Sequence, residues 1–229
     1  MTASAIIVAA GIGARLGSSV PKAFIKIGGR TMLSYSLGAV GQVSSIGEVV
    51  ITVPEGFESS ARAEAAAAGL GVPVKITPGG VERQDSVRIA LGLTSSESEL
   101  VIVHDAARPL ATPAIFEACI AAAARAGGAI AAIPVADTLK RVTDGAIAAT
   151  VARAGLWQAQ TPQAFRRAVL VAAHRRAVSE GIIATDDADL VERTGVRVEV
   201  VEGSTANIKI TTPSDLAIAE AIIAARMAD

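Results

Sequence analysis

Short runs of β-branched and other apolar residues alternate along this chain with longer alanine-rich segments, and this alternation constrains the fold more than any other feature. The pattern is typical of strands joined by crossover helices. Most of the runs are continuously apolar, as strands covered by helices on both faces must be. The sequence therefore predicts an α/β fold with a mainly parallel sheet. The predicted strands are residues 5–9, 48–53, 74–77, 100–104, 129–134 and 197–201.

Three Thr-Pro pairs predict helix starts, namely Thr112-Pro113, Thr161-Pro162 and Thr212-Pro213. A threonine side chain can cap free amides, and proline suits the first helical turn. After Thr212, Asp215 stands where a capping box has its acidic residue, and an apolar stripe follows at helical spacing. The stripe consists of Leu216, Ala219, Ile222, Ile223 and Met227. We therefore expect a final helix to close the domain.

Residues 137–159 break the alternation of strands and helices. This polar segment carries the turn signal Thr143-Asp144-Gly145 between two short extended runs, 138–142 and 146–151. The pattern predicts an inserted β-hairpin, called the β-arm below. An isolated hairpin is only marginally stable in water, so the β-arm packs either on its own domain or on a partner subunit. Since single α/β domains often reach this length, we expect one domain over residues 1–229 with this insertion.

Composition excludes several classes of protein. The chain has 21 Lys and Arg residues and 22 Asp and Glu residues. Because it therefore carries no net positive charge that would attract a polyanion, the composition argues against nucleic-acid binding. No apolar run reaches the roughly 18 to 20 residues that a membrane span needs. The single Cys119 can form neither an intramolecular disulfide nor a zinc site, and its alanine-rich setting predicts a buried thiol. We expect a cytoplasmic protein with neither nucleic acid nor membrane as a partner.

A glycine-rich loop follows the first predicted strand. Its glycines let backbone amides approach a phosphate group closely. The dinucleotide fingerprint fails because Leu16 occupies its last glycine position, and the P-loop fails because Gly17 is followed by Ser18. Two cations remain, Arg15 and Lys22, and together with the amides they suit a triphosphate. The alternative is a surface turn with two solvated cations.

Six motifs occur along the chain in a fixed order. They are Ala9-Ala10-Gly11-x-Gly13-x-Arg15 with Pro21-Lys22, Gly79-Gly80-x-x-Arg83-x-x-Ser86, His104-Asp105-Ala106-Ala107-Arg108-Pro109, Thr161-Pro162-Gln163, Thr185-Asp186-Asp187-Ala188 and Asn207-Ile208-Lys209-Ile210-Thr211. From residue 6 to about 222 the chain thereby closely resembles the 2-C-methyl-D-erythritol 4-phosphate cytidylyltransferase family. The resemblance implies a Rossmann-like, mainly parallel twisted sheet flanked by helices, of the nucleotide-diphospho-sugar transferase type. It also implies Mg²⁺-dependent transfer of a cytidylyl group from CTP to an alditol phosphate, with release of pyrophosphate, in the non-mevalonate isoprenoid pathway.

The resemblance assigns roles to individual residues. The catalytic cations that hold the triphosphate and the reacting phosphates are Arg15, Lys22 and Lys209. The nucleotide-binding residues are Ala9, Ala10, Gly11, Gly13, Gly80, Val81, Ser86, Asp105 and Ala106. The acceptor-binding residues are Asp105, Arg108, Thr138, Arg153 and Thr185, with Thr138 and Arg153 reaching the site of a second subunit, so that a homodimer forms through the β-arm.

Other residues near these motifs receive supporting or neutral roles. We expect Asp105 at the carboxyl end of its strand, where open α/β sheets bind ligands. Arg83 is expected to brace the Gly79-Gly80 turn, and Val81 replaces a polar residue common in the family, which predicts slightly weaker cytosine selectivity. His104 is interpreted as a structural partner of backbone groups and His174 as a solvated side chain.

The same residues bear on three other functions. The related ribitol-5-phosphate cytidylyltransferases share several motifs, but Ala9-Ala10-Gly11 and Ala106-Ala107 favour the erythritol enzyme. A non-catalytic nucleotide-binding regulator is disfavoured because both Arg15 and Lys22 are present. An NAD-dependent reductase is disfavoured by the failed fingerprint and by the lack of an acidic residue about 20 residues after the loop.

Overall fold

The computed structural model describes residues 2–13, 16–17 and 20–228, apart from the side chain of residue 228. The strands are β1 (Ala3–Val8), β2 (Lys26–Ile27), β3 (Arg30–Thr31), β4 (Ile46–Val53), β5 (Val74–Pro78), β6 (Leu100–Asp105), β7 (Gly128–Pro134), β8 (Leu139–Thr143), β9 (Ala146–Val151), β10 (Trp157–Arg166) and β11 (Val198–Glu202). The helices are α1 (Met32–Val40), α2 (Glu58–Ala68), α3 (Arg83–Leu93), α4 (Pro113–Ala126), α5 (Arg167–Glu180), α6 (Asp187–Glu192) and α7 (Pro213–Ala228). None of the helices in this part of the chain is long and apolar enough to cross a membrane.

Seven strands form the central sheet, in the order β11-β7-β10-β6-β1-β4-β5. The β1–β4, β1–β6, β4–β5 and β7–β11 pairs are parallel, and only β10 within this sheet runs antiparallel to its neighbours. The predicted α/β fold with a mainly parallel sheet is thus confirmed. All six predicted strands are present, with bounds that differ from the predictions by no more than two residues.

Strand β10 was not predicted, and the helix start assigned to Thr161-Pro162 is wrong. The pair lies inside β10 and is joined by a cis peptide bond. The pairing of β10 with β7 shifts register between Ala159 and Gln163, and such an irregularity accommodates a proline that cannot donate to the ladder. The hydroxyl of Thr161 caps no helix, because it accepts the backbone N–H of Asp105 at 3.0 Å. This strand therefore holds the end of β6.

The other two Thr-Pro pairs start helices as predicted. Helix α4 begins at Pro113, although the Thr112 hydroxyl makes no capping hydrogen bond. Helix α7 begins at Pro213, and the Asp215 carboxylate accepts the backbone N–H of Thr212 at 2.8 Å. The predicted apolar stripe of α7 packs inward except for Met227, which is 83% exposed, so its inclusion was wrong.

Helices cover both faces of the sheet because successive strand residues point to opposite sides. Ile7 packs into the core on the side of α1, α2 and α4, whereas Ile6 packs against α3, α5 and α6. Cys119 lies in the first of these cores and is fully buried, which confirms the prediction of a buried thiol. Burial raises the pKa of this thiol to about 12.

The β-arm contains the predicted hairpin. Strands β8 and β9 pair antiparallel in a two-stranded sheet separate from the central one. Both turn residues have positive φ, 50° at Asp144 and 77° at Gly145, as a type I′ turn requires. Val142 and Ile147 are 57% and 66% exposed, so the hairpin presents apolar side chains to the outside of this chain.

Candidate active site

A cleft opens at the carboxyl ends of β1 and β6, which are adjacent parallel strands. Its volume is about 210 Å³. This is the edge of an open α/β sheet at which ligands bind, as expected for Asp105. The predicted residues that the structure brings together in its lining are Ala9, Ala10, Gly11, Lys22, Gly80, Val81, Ser86, Asp105, Ala106 and Lys209.

Asp105 is the last residue of β6 and forms the charged floor of the cleft. Its Oδ1 accepts from Nε of Arg83 at 2.8 Å, and its Oδ2 accepts from Nζ of Lys209 at 2.7 Å. Burial by itself would raise the pKa of Asp105, but the nearby charges of Arg83 and Lys209 hold that pKa far below its usual range. The carboxylate therefore stays ionised and orients two cations, so it is a poor base.

Arg83 begins helix α3, and its contacts differ from the prediction that it braces the Gly79-Gly80 turn. The guanidinium bridges two carboxylates, since Nη1 also donates to Oδ2 of Asp187 at 2.8 Å. Burial lowers the pKa of Arg83, but Asp187 and Asp105 raise it above its ordinary value. Arg83 and Asp187 were missing from the predicted site residues, although both stand in the quoted motifs.

The Gly79-Gly80 turn lies against the first loop at one wall of the cleft. A Cβ on Gly79 would collide with the Cβ of Ala10 and lie 2.7 Å from Oγ of Ser86, so only glycine permits this approach. The N–H of Gly80 donates to Ser86 Oγ at 3.0 Å, and Ser86 is buried. The serine thus fixes the turn whose backbone faces the cleft.

Gly13 supports the cleft without lining it. Its φ of +69° suits glycine, and a Cβ there would lie 2.8 Å from the Cβ of Lys22. The N–H of Leu16 donates to the carbonyl of Gly13 at 2.9 Å. Gly13 therefore packs against the stem of Lys22. The predicted catalytic residue Arg15 lies outside the described residues.

Lys209 reaches the cleft from the segment between β11 and α7, outside any strand. Asn207 anchors this segment, since its buried Nδ2 donates to the Thr161 carbonyl at 2.9 Å and to Oε1 of Gln160 at 3.1 Å. The N–H of Ile210 donates to the carbonyl of Ala107 at 2.9 Å. The Asn-Ile-Lys motif thus joins the segment to β10 and to the loop after Asp105.

Arg108 lies beside the cleft but is not among the residues that line it. Its Nη1 donates to the Asn207 carbonyl at 2.8 Å, and its Nη2 donates to the Ala159 carbonyl at 3.2 Å. In this chain Arg108 holds the Lys209 segment against β10. Its predicted contact with the acceptor stays a prediction.

The remaining acceptor-binding candidates lie away from the cleft lining of a single chain. Thr138 and Arg153 are exposed on the β-arm, and Thr185 is exposed just before α6. Roles for Thr138 and Arg153 require a second subunit, so these roles stay predictions.

The two histidines are both buried and structural in their contacts. The contacts of His104 confirm that it is a structural partner of backbone groups. Its Nε2 lies 3.1 Å from the Arg108 carbonyl, and its Nδ1 lies 3.1 Å from the Thr161 hydroxyl. His174 was wrongly interpreted as solvated, because it is buried with Nε2 3.1 Å from Oδ1 of Asp187. The signal was present in the sequence, since His174 shares helical spacing with the buried Leu170 and Ala177.

Divalent-metal binding can be tested against the donor groups of the cleft. No group of three or more potential metal-ligating side chains occurs in the described part of the chain. Two carboxylates line the cleft, the exposed Glu82 and the buried Asp105, and both oxygens of Asp105 already contact cations. This arrangement fits Mg²⁺ carried mainly by triphosphate oxygens and water, with Asp105 as a nearby carboxylate, rather than a site built from protein ligands alone.

Comparisons with known proteins agree with this geometry. The family model for 2-C-methyl-D-erythritol 4-phosphate cytidylyltransferase, IspD, matches residues 3–225. The protein of that name from Syntrophotalea carbinolica is 43% identical over 225 residues, covering 97% of each chain, and that from Deinococcus radiodurans is 45% identical over 219 residues, covering 96% of this chain and 88% of the other.

Solved structures are similar over nearly the whole chain. The enzyme of the same name from Thermus thermophilus has a TM-score of 0.81 and 38% identity, with 97% of this chain and 98% of that chain covered. The 4-diphosphocytidyl-2C-methyl-D-erythritol synthase from Anaerococcus prevotii has a TM-score of 0.85 and 30% identity, with 97% and 98% covered. With the cleft residues in place, these similarities show that this chain belongs to the 2-C-methyl-D-erythritol 4-phosphate cytidylyltransferase (IspD) family.

Proposed function

We propose that this chain transfers the cytidylyl group of CTP to 2-C-methyl-D-erythritol 4-phosphate, giving 4-diphosphocytidyl-2-C-methyl-D-erythritol and pyrophosphate in the non-mevalonate pathway. The observation that carries the proposal is a cleft lined by Lys22, Arg83 and Lys209, in which Arg83 and Lys209 contact one buried carboxylate beside the Gly79-Gly80 turn. A cationic cleft of this kind suits a substrate that brings several phosphates. The narrow approach of the Gly79 turn to Ala10 suits a flat pyrimidine.

The acceptor phosphate is already a nucleophile at neutral pH, so the barrier lies in bringing two anions together. Lys22 and Arg15 hold the triphosphate, and Lys209 stabilises the charge that develops at the α-phosphate. The Asp105 carboxylate fixes the position of Nζ of Lys209 before substrate arrives. Catalysis is then electrostatic and positional, in keeping with a carboxylate whose lowered pKa makes it a poor general base.

The base and the acceptor have separate positions in this proposal. The nucleoside contacts Ser86, Gly80, Val81 and the loop of Ala9 to Gly11, and it lies above Asp105 and Ala106. Gly13 supports this site indirectly, because it packs against the side chain of Lys22. The exposed Val81 offers the base no polar side-chain contact, which favours modest rather than strict selection of cytosine. Asp105, Arg108 and Thr185 contact the acceptor.

Mg²⁺ is part of the proposal because a triphosphate binds it readily and Asp105 lies at the same end of the cleft. Bound Mg²⁺ would neutralise phosphate charge, and Asp105 would hold it through water. Arg83 and Lys209 keep this carboxylate ionised whether or not metal is present.

We also propose that the active enzyme is a homodimer in which the β-arm crosses to a second subunit. The support is the exposed Val142 and Ile147 on a two-stranded sheet that has no hydrogen-bonded partner strand within the described chain. Thr138 and Arg153 of one subunit then bind the acceptor phosphate held by the other. Residues 1–229 act as one nucleotidyltransferase domain carrying this arm, in the cytoplasm.

Pyrophosphate release tests the function. The purified chain is incubated with CTP and Mg²⁺ together with methylerythritol 4-phosphate or ribitol 5-phosphate. We expect release with the erythritol substrate alone. Lys22→Ala should lower the rate about 10²- to 10³-fold, the scale of losing one preorganised donor. Lys26→Ala is the matched control, because Lys26 is exposed on β2 outside the cleft lining, and it should retain the wild-type rate.

Two other outcomes of this assay would each support an alternative function. Release only with ribitol 5-phosphate makes the chain a ribitol-5-phosphate cytidylyltransferase. Binding of CTP without release for either acceptor indicates a nucleotide-binding regulator. Either result overturns the proposed reaction.

A further inference from the structure

A chain of polar contacts runs from the cleft into the protein interior and joins four secondary-structure elements to the segment that carries Lys209. Lys209 contacts Asp105 at 2.7 Å, Asp105 contacts Arg83 at 2.8 Å, Arg83 contacts Asp187 at 2.8 Å and Asp187 contacts His174 at 3.1 Å. We call these five residues the relay. Lys209, Asp105 and Arg83 line the cleft, whereas Asp187 and His174 lie behind it.

The inner end of the relay is its most buried part. The side chains of Asp187 and His174 are 1% and 3% exposed, compared with 25% for Arg83 and 43% for Lys209. A charged side chain is rarely fully buried unless it is paired. Asp187 meets this condition with two partners, since one oxygen accepts from Arg83 and the other contacts His174.

Arg83 is held at two different edges of its guanidinium. Nε donates to Asp105 and Nη1 donates to Asp187, whereas Nη2 is buried without a hydrogen-bond partner among the described residues. Because the guanidinium is planar and its donors form a rigid fork, the direction of Nη1 determines the direction of Nε. Asp187 therefore controls how Arg83 meets the cleft carboxylate.

The arrangement matters because Asp105 divides its two oxygens between two cations. Arginine readily binds a carboxylate through two parallel hydrogen bonds, one to each oxygen. Without the hydrogen bond from Nη1 to Asp187, the guanidinium can turn toward Asp105 and donate to both oxygens of its carboxylate. Nζ of Lys209 would then lose its anchor at Oδ2.

We propose that Asp187, held by His174, is a positioning residue for the transfer reaction: it keeps Arg83 on one oxygen of Asp105 and so leaves the other oxygen to fix Lys209. This inference deepens the proposed function and rests on it. It assigns a role to the second aspartate of the Thr185-Asp186-Asp187-Ala188 motif, which touches no residue proposed to bind the base.

The first test compares two aspartates of the same helix. Asp187→Asn removes the charge and one of the two acceptor oxygens, and we expect kcat to fall about 10- to 100-fold, the scale of a misplaced catalytic group. The dissociation constant of CTP should stay near the wild-type value, because Gly80 and Ser86 keep their contact. Asp189→Asn is the matched control: Asp189 pairs with Arg193 at 2.8 Å near the surface and should leave kcat unchanged.

A double variant separates positioning from general loss of structure. Lys209→Met removes the end of the relay, so adding Asp187→Asn to it should lower kcat little further. Residues that act as a unit show such non-additive losses. Losses that multiply, or an Asp187→Asn enzyme with wild-type kcat, would overturn the proposal. Should Asp187→Asn not fold, His174→Gln loosens the same carboxylate, and its smaller loss should likewise vanish in the Lys209→Met background.

A spectroscopic measurement tests the orientation of Arg83 independently of enzyme activity. The Nε–H signal of Arg83 in a ¹H–¹⁵N spectrum of the unliganded protein is assigned by its absence in Arg83→Lys. This signal should shift in Asp187→Asn and stay in place in Asp189→Asn. If the wild-type protein releases no pyrophosphate, the proposed function is wrong, but the spectrum still reports the orientation of Arg83. An Arg83 signal that does not shift in Asp187→Asn contradicts the positioning role.

Discussion

Nζ of Lys209 lies 2.7 Å from Oδ2 of Asp105, although 104 residues separate the two in the sequence. Asp105 ends a buried strand, whereas Lys209 lies in a segment held by Asn207 and Ile210. The contact therefore needs the sheet, β10 and the loop after Asp105 in their native positions. The position of Lys209, a cation proposed to be catalytic, therefore depends on the whole fold.

Replacing Asp105 tests this dependence. Asp105→Asn keeps the shape of the side chain but removes the charge that Arg83 and Lys209 share, so we expect kcat to fall about 10²- to 10³-fold. Removing one partner of a buried charge cluster should also lower the free energy of unfolding by about 2 kcal/mol, less than for a fully buried pair because Lys209 is partly exposed. Steady-state kinetics and urea unfolding measure the two effects. A fully active Asp105→Asn variant would show that the Asp105 carboxylate is not needed for the reaction.

Gly79→Ala should damage nucleotide binding because its Cβ would collide with Ala10. We expect the two loops to separate and the dissociation constant of CTP to rise about tenfold or more, which corresponds to about 1.4 kcal/mol of lost contact. Gly92→Ala is the matched control, since Gly92 lies in α3 with open space at its Cβ position. That variant should bind CTP normally and gain stability, as alanine favours a helix. Calorimetric titration with CTP measures both, and equal affinities would contradict this geometry.

Stability should decline with acid through His104. Burial lowers the pKa of His104 to about 4, below the value near 6.5 that it has in an unfolded chain. The unfolded state therefore binds the proton more readily, so the stabilisation is full above about pH 6.5 and is lost as pH falls toward 4. Between pH 7 and pH 5 this histidine should account for about 2 kcal/mol of lost stability.

A variant isolates this contribution. Urea unfolding of wild type and His104→Gln at pH 7 and pH 5 should show a smaller acid loss in the variant. The lowered pKa values of Asp105 and Asp187 place their own losses below about pH 4, outside this window. Identical losses in the two proteins would show that His104 does not titrate as its burial implies.

The β-arm should set the oligomeric state. A double substitution, Val142→Asp with Ile147→Asp, places charge on the exposed apolar face of the hairpin, and we expect it to convert a dimer to a monomer in light scattering. Val178→Asp is the control, because Val178 is 63% exposed on α5 away from the β-arm. The double variant should also lose activity, since Thr138 and Arg153 would no longer reach a second cleft. A dimer that survives the double substitution would place the interface elsewhere.

Six strands of the central sheet and the hairpin could be predicted from the sequence because local patterns carry them, whereas the residues that line the cleft were predicted from the family resemblance. Continuous apolar runs and the Asp144-Gly145 turn need no tertiary information. Strand β10 escaped prediction because Thr161-Pro162 has the local pattern of a helix start, and only pairing with β6 and β7 makes it a strand. The contact between His174 and Asp187 escaped prediction because it depends on how α5 packs against α6, although the helical spacing of His174 with Leu170 and Ala177 already indicated its burial.

Whether this cleft joins CTP to methylerythritol 4-phosphate can be measured by ³¹P NMR of a single reaction mixture. With wild-type chain, CTP, Mg²⁺ and the acceptor, we expect the CTP signals to decline while a new diphosphate diester and pyrophosphate appear in equal amounts. The Asp105→Asn protein should produce both far more slowly under the same conditions. An unchanged CTP spectrum with folded wild-type protein, or pyrophosphate without the diphosphate diester, would show that this protein does not catalyse the transfer.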